Sequence, residues 1–456
     1  MALIHELSNE TPLPMLDLWK VPFTQKSIER TTVREIRPLS VPRSDAPIEF
    51  VFTTSPEQYL MLGETYLSLR VKVTLYDSKN KLALQSNMQK VKVAKNFFHS
   101  LFKSVSLTIN DKVLTLSPND YAYKVFIENL FGFSEHAKKA HLTAEEYTTN
   151  VVKEEIIPAF IEEPDDNSLN AGKATPTKAD SLVRVEKQSV ANIMELLGRL
   201  HLDLTFQELA IVGGCTIKIR LIPNDASFFL QWPDEHRPKV EFERVSLFAT
   251  VALATPTLLE KHLKAWNTSP VKYFFTRPDV KTHSLAFGTR DYNINNFIFG
   301  QLPRRILMFI VANENYNGTK DTDPFDIVQC NLNHISISIN GMIHPEHVYE
   351  PDFDDGMYTI PYIGLYRTLN QNDTDCYYVC SKAQFAQHPI FAFQLSADLS
   401  NGSALGGHLS PIQNGVLNIN LRFKGPLMGV YSLIAYCEFD NCIQIDNNGT
   451  VATDYN

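Results

Sequence analysis

The sequence predicts an all-β protein made of two tandem eight-stranded jelly rolls, with short helices in the loops. Three observations lead there. The first is an internal repeat. Residues 104–113 (SVSLTINDKV) return at 334–343 (HISISINGMI), each an alternating run that breaks on Asn-Asp or Asn-Gly. Further pairs follow in the same order: 200–206 (LHLDLTF) with 391–397 (FAFQLSA), the run after Gly214 (CTIKIRL) with that after Gly415 (VLNINLR), and 245–251 (VSLFATV) with 431–437 (YSLIAYC). Each pairing is weak alone, but four in unbroken order indicate a duplicated domain. The second is length: 456 residues exceed the roughly 250–300 at which one core stops growing. The third is composition. Proline (25) outnumbers glycine (19), and Phe and Tyr are plentiful, which suits short strands joined by rigid turns.

Residues 1–45 read as an N-terminal arm, with five prolines and six basic residues between Lys20 and Arg43 against Glu29 and Glu35. Trp19, Val21 and Phe23 are apolar enough to dock on a neighbouring subunit. The first jelly roll spans 46–255. It opens with IEFVFTT after Pro47 and continues with the clean alternation of 65–76 (TYLSLRVKVTLY), a short run at 96–102 and the 104–113 hairpin. At 118–131 the period changes to that of a helix, capped by Asn119 or Asp120 and apolar at Tyr123, Phe126, Ile127 and Leu130. A long exposed loop is expected at about 134–190, most polar at 162–180. Strands at 200–206, 215–222, 227–230 and 243–252 close this half.

Residues 256–282 read as a linker, with a short helix at 258–266 and then Arg277-Pro278. The second jelly roll and a C-terminal tail occupy 283–456, with strands at 283–289, 305–312, 332–339, 391–397, 416–423 and 431–438. Long polar connections fall at 313–325 and 398–412. Short strands at irregular spacing, with helices confined to loops, fit Greek-key sandwiches, of which the jelly roll is the favoured version.

Net charge is −9, which opposes a surface wholly given to nucleic acid. The N-terminus shows no secretory pattern, and no apolar run approaches the roughly 18 residues of a membrane span. The six cysteines (215, 330, 376, 380, 437, 442) fall mostly in strand-like runs, where a free thiol acts as a small hydrophobe, and a reducing compartment fits them. No catalytic signature is present: no phosphate-binding glycine loop, no H-E-x-x-H, no nucleophile elbow. A two-domain cupin enzyme would need a His-x-His pair, and none exists. His344 and His347, the spaced cysteines, and the acidic groups Asp321/Asp323/Asp326 and Asp352/Asp354/Asp355 match turns and solvated loops better than zinc or calcium sites. No catalytic residue, cofactor or metal is predicted.

Several phrases resemble the double jelly-roll major capsid proteins of Polintons (Mavericks) and adintoviruses. They are residues 17–29 (DLWKVPFTQKSIE), 47–50 (PIEF), 198–221 (GRLHLDLTFQELAIVGGCTIKIRL), 299–305 (FGQLPRR), 323–326 (DPFD) and 436–446 (YCEFDNCIQID). They occur in order along nearly the whole chain. Phe23 departs from the pattern, where a second proline is expected after Pro22. The resemblance implies a major capsid protein forming pseudo-hexagonal homotrimers that tile an icosahedral shell around double-stranded DNA. Its implied partners are itself, a single jelly-roll penton protein and minor or cement proteins, without specific nucleic-acid recognition. Its implied location is the virion, after an intracellular stage. Motif positions with an implied assembly or structural role are Val21, Pro22, Thr24, Gln25, Gly198, Arg199, Gly300, Gln301, Leu302, Pro303 and Arg304. The loops 134–190, 313–325 and 398–412 would decorate the outer surface. A minor capsid component and a tandem β-sandwich that binds carbohydrate or a receptor are the alternatives.

Overall fold

Two sets of eight strands, identical in connectivity, and three short strands outside them (Lys92–Val93, Leu230–Gln231 and Val451–Thr453) make up the sheets of the computed structural model, which describes residues 14–115, 120–147, 192–371, 378–396 and 411–454, without the side chains of 345–347. The first set is β1 (Ile28–Ile36), β2 (Ile48–Thr53), β3 (Gln58–Asp77), β4 (Phe102–Ile109), β5 (Lys112–Val113), β6 (Ile193–Arg199), β7 (Thr216–Pro223) and β8 (His236–Ala254). They form two antiparallel sheets, in the orders β1-β8-β3-β6 and β2-β7-β4-β5. The second set is β9 (Val271–Leu285), β10 (Asp291–Gln301), β11 (Arg305–Ala312), β12 (Leu332–Ile339), β13 (Met342–Tyr349), β14 (Phe391–Gln394), β15 (Asn414–Phe423) and β16 (Tyr431–Ile445). Its sheets run β9-β16-β11-β14 and β10-β15-β12-β13. Each strand of the second half therefore stands where the strand eight places earlier stands in the first. This is the double jelly roll that the sequence predicts.

Periodicity explains the elements that were legible. β3 buries Leu67, Leu69, Val71, Val73 and Leu75 and turns the intervening residues outward. β7 does the same with Ile217, Ile219 and Leu221. β11 (RILMFIVA) does not alternate, because both of its faces are covered. Ile306, Met308 and Ile310 enter the second half's own core, whereas Leu307, Phe309 and Val311 join the cluster that fills the first half.

The three longest helices among the described residues flank or join the sheets. α1 (Tyr121–Gly132) lies between β5 and β6; α3 (Thr359–Thr368) holds the corresponding place between β13 and β14. α2 (Pro256–Thr268) joins the halves, with Trp266 Nε1 donating to the Ile445 carbonyl at 2.9 Å. α1 matches the expected helix, but its Asp120 carboxylate does not cap it. That group instead accepts from the Tyr316 hydroxyl of the second half at 3.0 Å.

Several expectations need correction. The arm and the linker each contain the first strand of a jelly roll. Ile28–Ile36 pairs along β8, and Val271–Leu285 pairs along β16. Both lie at a sheet edge, where one neighbour suffices. β1 is exposed almost throughout, so no apolar period marks it, and β9 tolerates Pro278 because an edge strand can spare an N–H. The strand placed at 200–206 is a turn, and the sheet strand is Ile193–Arg199. The strand placed at 227–230 is mostly the short helix Ala226–Phe229. Residues 134–147 are no exposed loop, since Lys138, Leu142, Glu145 and Tyr147 are buried. The rest of that loop, from 148, and residues 397–410 of the 398–412 connection lie outside the described residues.

Candidate assembly site

The phrases GQLPRR and EFDN, far apart in the chain, meet in one buried ion network. Arg304 leaves β10 for β11 and is held in place by its own backbone. Its N–H donates to the Glu438 carbonyl at 2.6 Å, and its carbonyl accepts from the Leu395 N–H at 2.7 Å. Its guanidinium then reaches Glu438 Oε2 (2.8 Å) and Asp440 Oδ1 (2.7 Å), while Arg305 takes Glu438 Oε1 at 2.6 Å. Burial alone would raise the Glu438 carboxyl, but Arg305 and Arg304 outweigh it and hold it below its ordinary range. Gln301 extends the network, donating to the Asp440 carbonyl at 3.2 Å and accepting from Asn441 at 3.3 Å. Leu302 donates its N–H to Gln413 at 2.8 Å, Gly300 turns with φ 104°, and Pro303 follows between Leu302 and Arg304. The network lies within the second half and fixes β10, β11 and β16 to one another.

DPFD works across the halves. Asp323 Oδ2 accepts from the Lys95 N–H at 3.1 Å, Oδ1 accepts from the Phe325 N–H at 3.0 Å, and Asp326 pairs with the Lys95 ammonium. Phe325 stacks on Phe126 of α1, ring centroids 4.7 Å apart, and the Pro324 carbonyl accepts from the Tyr123 hydroxyl at 2.9 Å. The 313–325 connection thus enters the seam between the jelly rolls instead of decorating a surface. Asp323 and Asp326 are occupied by Lys95, as Asp352 and Asp354 are by Lys424. Among the described residues no group of His, Cys, Asp or Glu is arranged to hold a metal.

Gly198 and Arg199 end β6. A Cβ on Gly198 would fall 2.7 Å from the Phe98 ring and 2.8 Å from Glu145 Oε1, so glycine is what lets these groups close. Arg199 donates to the Gly63 carbonyl at 3.2 Å and lies 4.5 Å above the Phe206 ring. Val21, Pro22, Thr24 and Gln25 are exposed in the arm; only Gln25 makes a contact, a 3.4 Å donation to the Ile28 carbonyl. The arm carries bare apolar surface, with Trp19 87 % and Phe23 fully exposed. The arm residues are therefore not brought to the other motif positions.

Sequence reasoning missed a polar seam under α1. Lys124 pairs with Asp203 at 2.6 Å, Glu128 Oε2 meets His201 Nδ1 at 2.6 Å, and His99 bridges Glu145 (3.1 Å) and the Tyr121 hydroxyl (3.0 Å). Burial raises Glu128 to about 7 against the pull of Lys124, and burial likewise drives His201 well below its ordinary value, with His99 adding to it. The readable signal was Lys124 and Glu128, one turn apart on a helix whose every other side is apolar. The LHLDLTF alternation has the same source: His201 and Asp203 are buried against Glu128 and Lys124 of α1, and Thr205 accepts from the Leu202 N–H inside the turn.

This architecture, two jelly rolls with one strand order, is that of viral major capsid proteins. The Sputnik virophage structure aligns with a TM-score of 0.60 at 11 % identity, covering 99 % of this chain and 94 % of that one. The Faustovirus major capsid protein gives 0.57 at 10 %, covering 95 % and 94 %, and the mavirus major capsid protein 0.50 at 11 %, covering 99 % and 97 %. Two of these neighbours are named as major capsid proteins. In sequence, an uncharacterized protein of Caenorhabditis elegans is 23 % identical over 439 residues, covering 93 % of this chain and 97 % of that protein. No family model matches the chain. No helix among the described residues is long and apolar enough to cross a membrane.

Proposed function

We propose that this protein is a major capsid protein of the Polinton (Maverick) and adintovirus kind, whose function is self-assembly into an icosahedral shell around double-stranded DNA. The observation that carries the reading is the strand-for-strand equivalence of the two halves. Two like domains per chain, set around a threefold axis, give six nearly equivalent sides, so a trimer can tile as a hexagon. The work of such a brick is geometric, and the buried ion network and the Lys95–Asp323 clasp serve it by holding each half, and the pair, rigid. Partners in this reading are further copies, a single jelly-roll penton protein and minor or cement proteins, and the location is the virion.

Light scattering of the purified protein tests the reading, with an expected mass of three times the 51.7 kDa chain. Electron microscopy of the same sample should show pseudo-hexagonal particles. Monomer alone at micromolar concentration overturns the reading, and glycan binding by a monomer replaces it with the binding-module alternative.

A further inference from the structure

The halves do not cover their sheets alike. On β9-β16-β11-β14 the outward side chains Leu307, Phe309, Ile434 and Tyr436 are buried in the cluster shared with the first half. Part of their cover is α1, whose Tyr123 ring lies 6.4 Å from that of Phe309. The same outer face of β1-β8-β3-β6 is open. Register places Tyr66 beside Phe248, and Ser68 beside both Ser246 and Leu197. Tyr66, Ile193 and Leu197 are 43–50 % exposed and Val33 is 63 % exposed. Around them lie the Glu35–Arg244 and Arg70–Glu195 pairs.

The helix in the place of α1 in the second half is α3. Where α1 buries Tyr123, Phe126 and Ile127, α3 leaves Ile360 and Ile363 exposed one turn apart, with Met357 just before them. The chain thus contains one closed contact between a sheet face and a helix, and both open members of a second. The open members are on opposite halves.

We propose that α3 of one subunit packs on the outer face of the β1-β8-β3-β6 sheet of a second copy, as α1 packs on β9-β16-β11-β14 within the chain. This rests on the capsomer reading and assigns its contact surfaces. Because the strand order repeats, the covered face shows what the open face accepts: a helix from the loop between the fifth and sixth strands of a jelly roll. The contact is heterologous, each copy giving α3 and receiving on its first sheet, so repetition closes a ring instead of stopping at a pair.

The test uses the full chain with Leu197→Asp, Ile363→Arg and, as a control away from both surfaces, Met342→Lys. Leu197→Asp and Ile363→Arg should each lower the scattering mass threefold while keeping the far-UV spectrum and a single cooperative melt of a folded chain, and the control should stay trimeric. A milder variant, Ile363→Cys, keeps the side chain apolar. Its thiol should be alkylated much more slowly in the trimer than in the Leu197→Asp background. Trimers that survive both charged substitutions, or equal alkylation in the two states, overturn the inference and leave the capsomer reading standing. A wild-type chain that is monomeric overturns that reading itself.

Discussion

Asn110 and Asn340 occupy the same position in the two halves and make the same pair of bonds. Each sits at the turn between two hairpin strands with positive φ, 45° and 51°. The Asn110 N–H donates to the Thr216 carbonyl at 3.0 Å and its Oδ1 accepts from the Thr216 N–H at 2.7 Å. Asn340 does both with Val416, at 2.9 Å each. The duplication is thus kept at the level of individual hydrogen bonds, at the two points where the repeat is plainest in the sequence.

Replacing either residue by alanine removes a side-chain hydrogen bond and strains the left-handed backbone, at a cost of about 1–3 kcal/mol. Asn110→Ala should be the worse, because Asn110 Nδ2 also donates to the Gly449 carbonyl at 2.8 Å. Glycine at either position relieves the backbone and should cost less than alanine. Urea denaturation midpoints check the order, and an alanine variant as stable as the glycine one refutes it.

The Arg304 network predicts a larger loss. Arg304→Ala removes two of the network's three ion pairs and leaves Glu438 and Asp440 buried, which typically costs about 3–5 kcal/mol. Lysine should not rescue it, since one ammonium cannot reproduce a planar fork held by two carboxylates. Chemical denaturation followed through the second half's tyrosines would show this as an early transition. A shift below about 1 kcal/mol would mean that the network relaxes or hydrates freely.

Glu128 sets a pH dependence whose sign can be stated. Its carboxyl is raised in the fold to about 7 from an ordinary 4.5, so its contribution is complete below 4.5 and is lost as pH rises through 7. His201 is depressed from 6.5, so its contribution is complete above 6.5 and is lost on acidification. The loss from Glu128 accrues between pH 4.5 and about 7, and comparison with Glu128→Gln isolates it because both chains carry His201. Over that window Glu128→Gln should gain on wild type, by at most about 1.4 kcal/mol per pH unit. Paired melting curves measure it, and a difference that does not change with pH removes Glu128 from the account.

The arm can be cut in two ways with different outcomes. Deleting residues 1–25 removes mostly exposed chain among the described residues and keeps the Thr255–Lys26 hydrogen bond, and should leave stability and trimer mass intact while impairing shell formation. Deleting 1–43 also removes β1 and bares the edge of β8, so it should lower stability as well. Normal shells from the shorter deletion would end any assembly role for Trp19, Val21 and Phe23.

What was legible followed from burial on one face. β3, β7 and β12 alternate and were read directly; so was α1, from the spacing of Tyr123, Phe126 and Ile127. β1 was hidden because an edge strand with both faces exposed carries no period, and β9 because Pro278 imitates a linker. The strand expected at 200–206 was misplaced, just past the true strand, for a third reason: LHLDLTF alternates because its polar members bond to α1 and within the turn, not through a sheet. Of the site, the motif phrases pointed to the right residues, but their meeting in space, Arg304 with Glu438 and Lys95 with Asp323, depends on pairings far apart in the chain that no local pattern records.

In each roll the first strand hydrogen-bonds to the last: Ile28 stands opposite Ala254, and Val271 opposite Ile445. On the ribosome, β1 must therefore wait for β8, while β9 and β11 both wait for β16, which completes the second roll. Such closures are slow, and until they occur the waiting strands offer bare edges. A chain interrupted before β16 remains visible to chaperones and proteases. Synthesis itself then acts as the inspection step, for no unfinished copy can pass as a finished one.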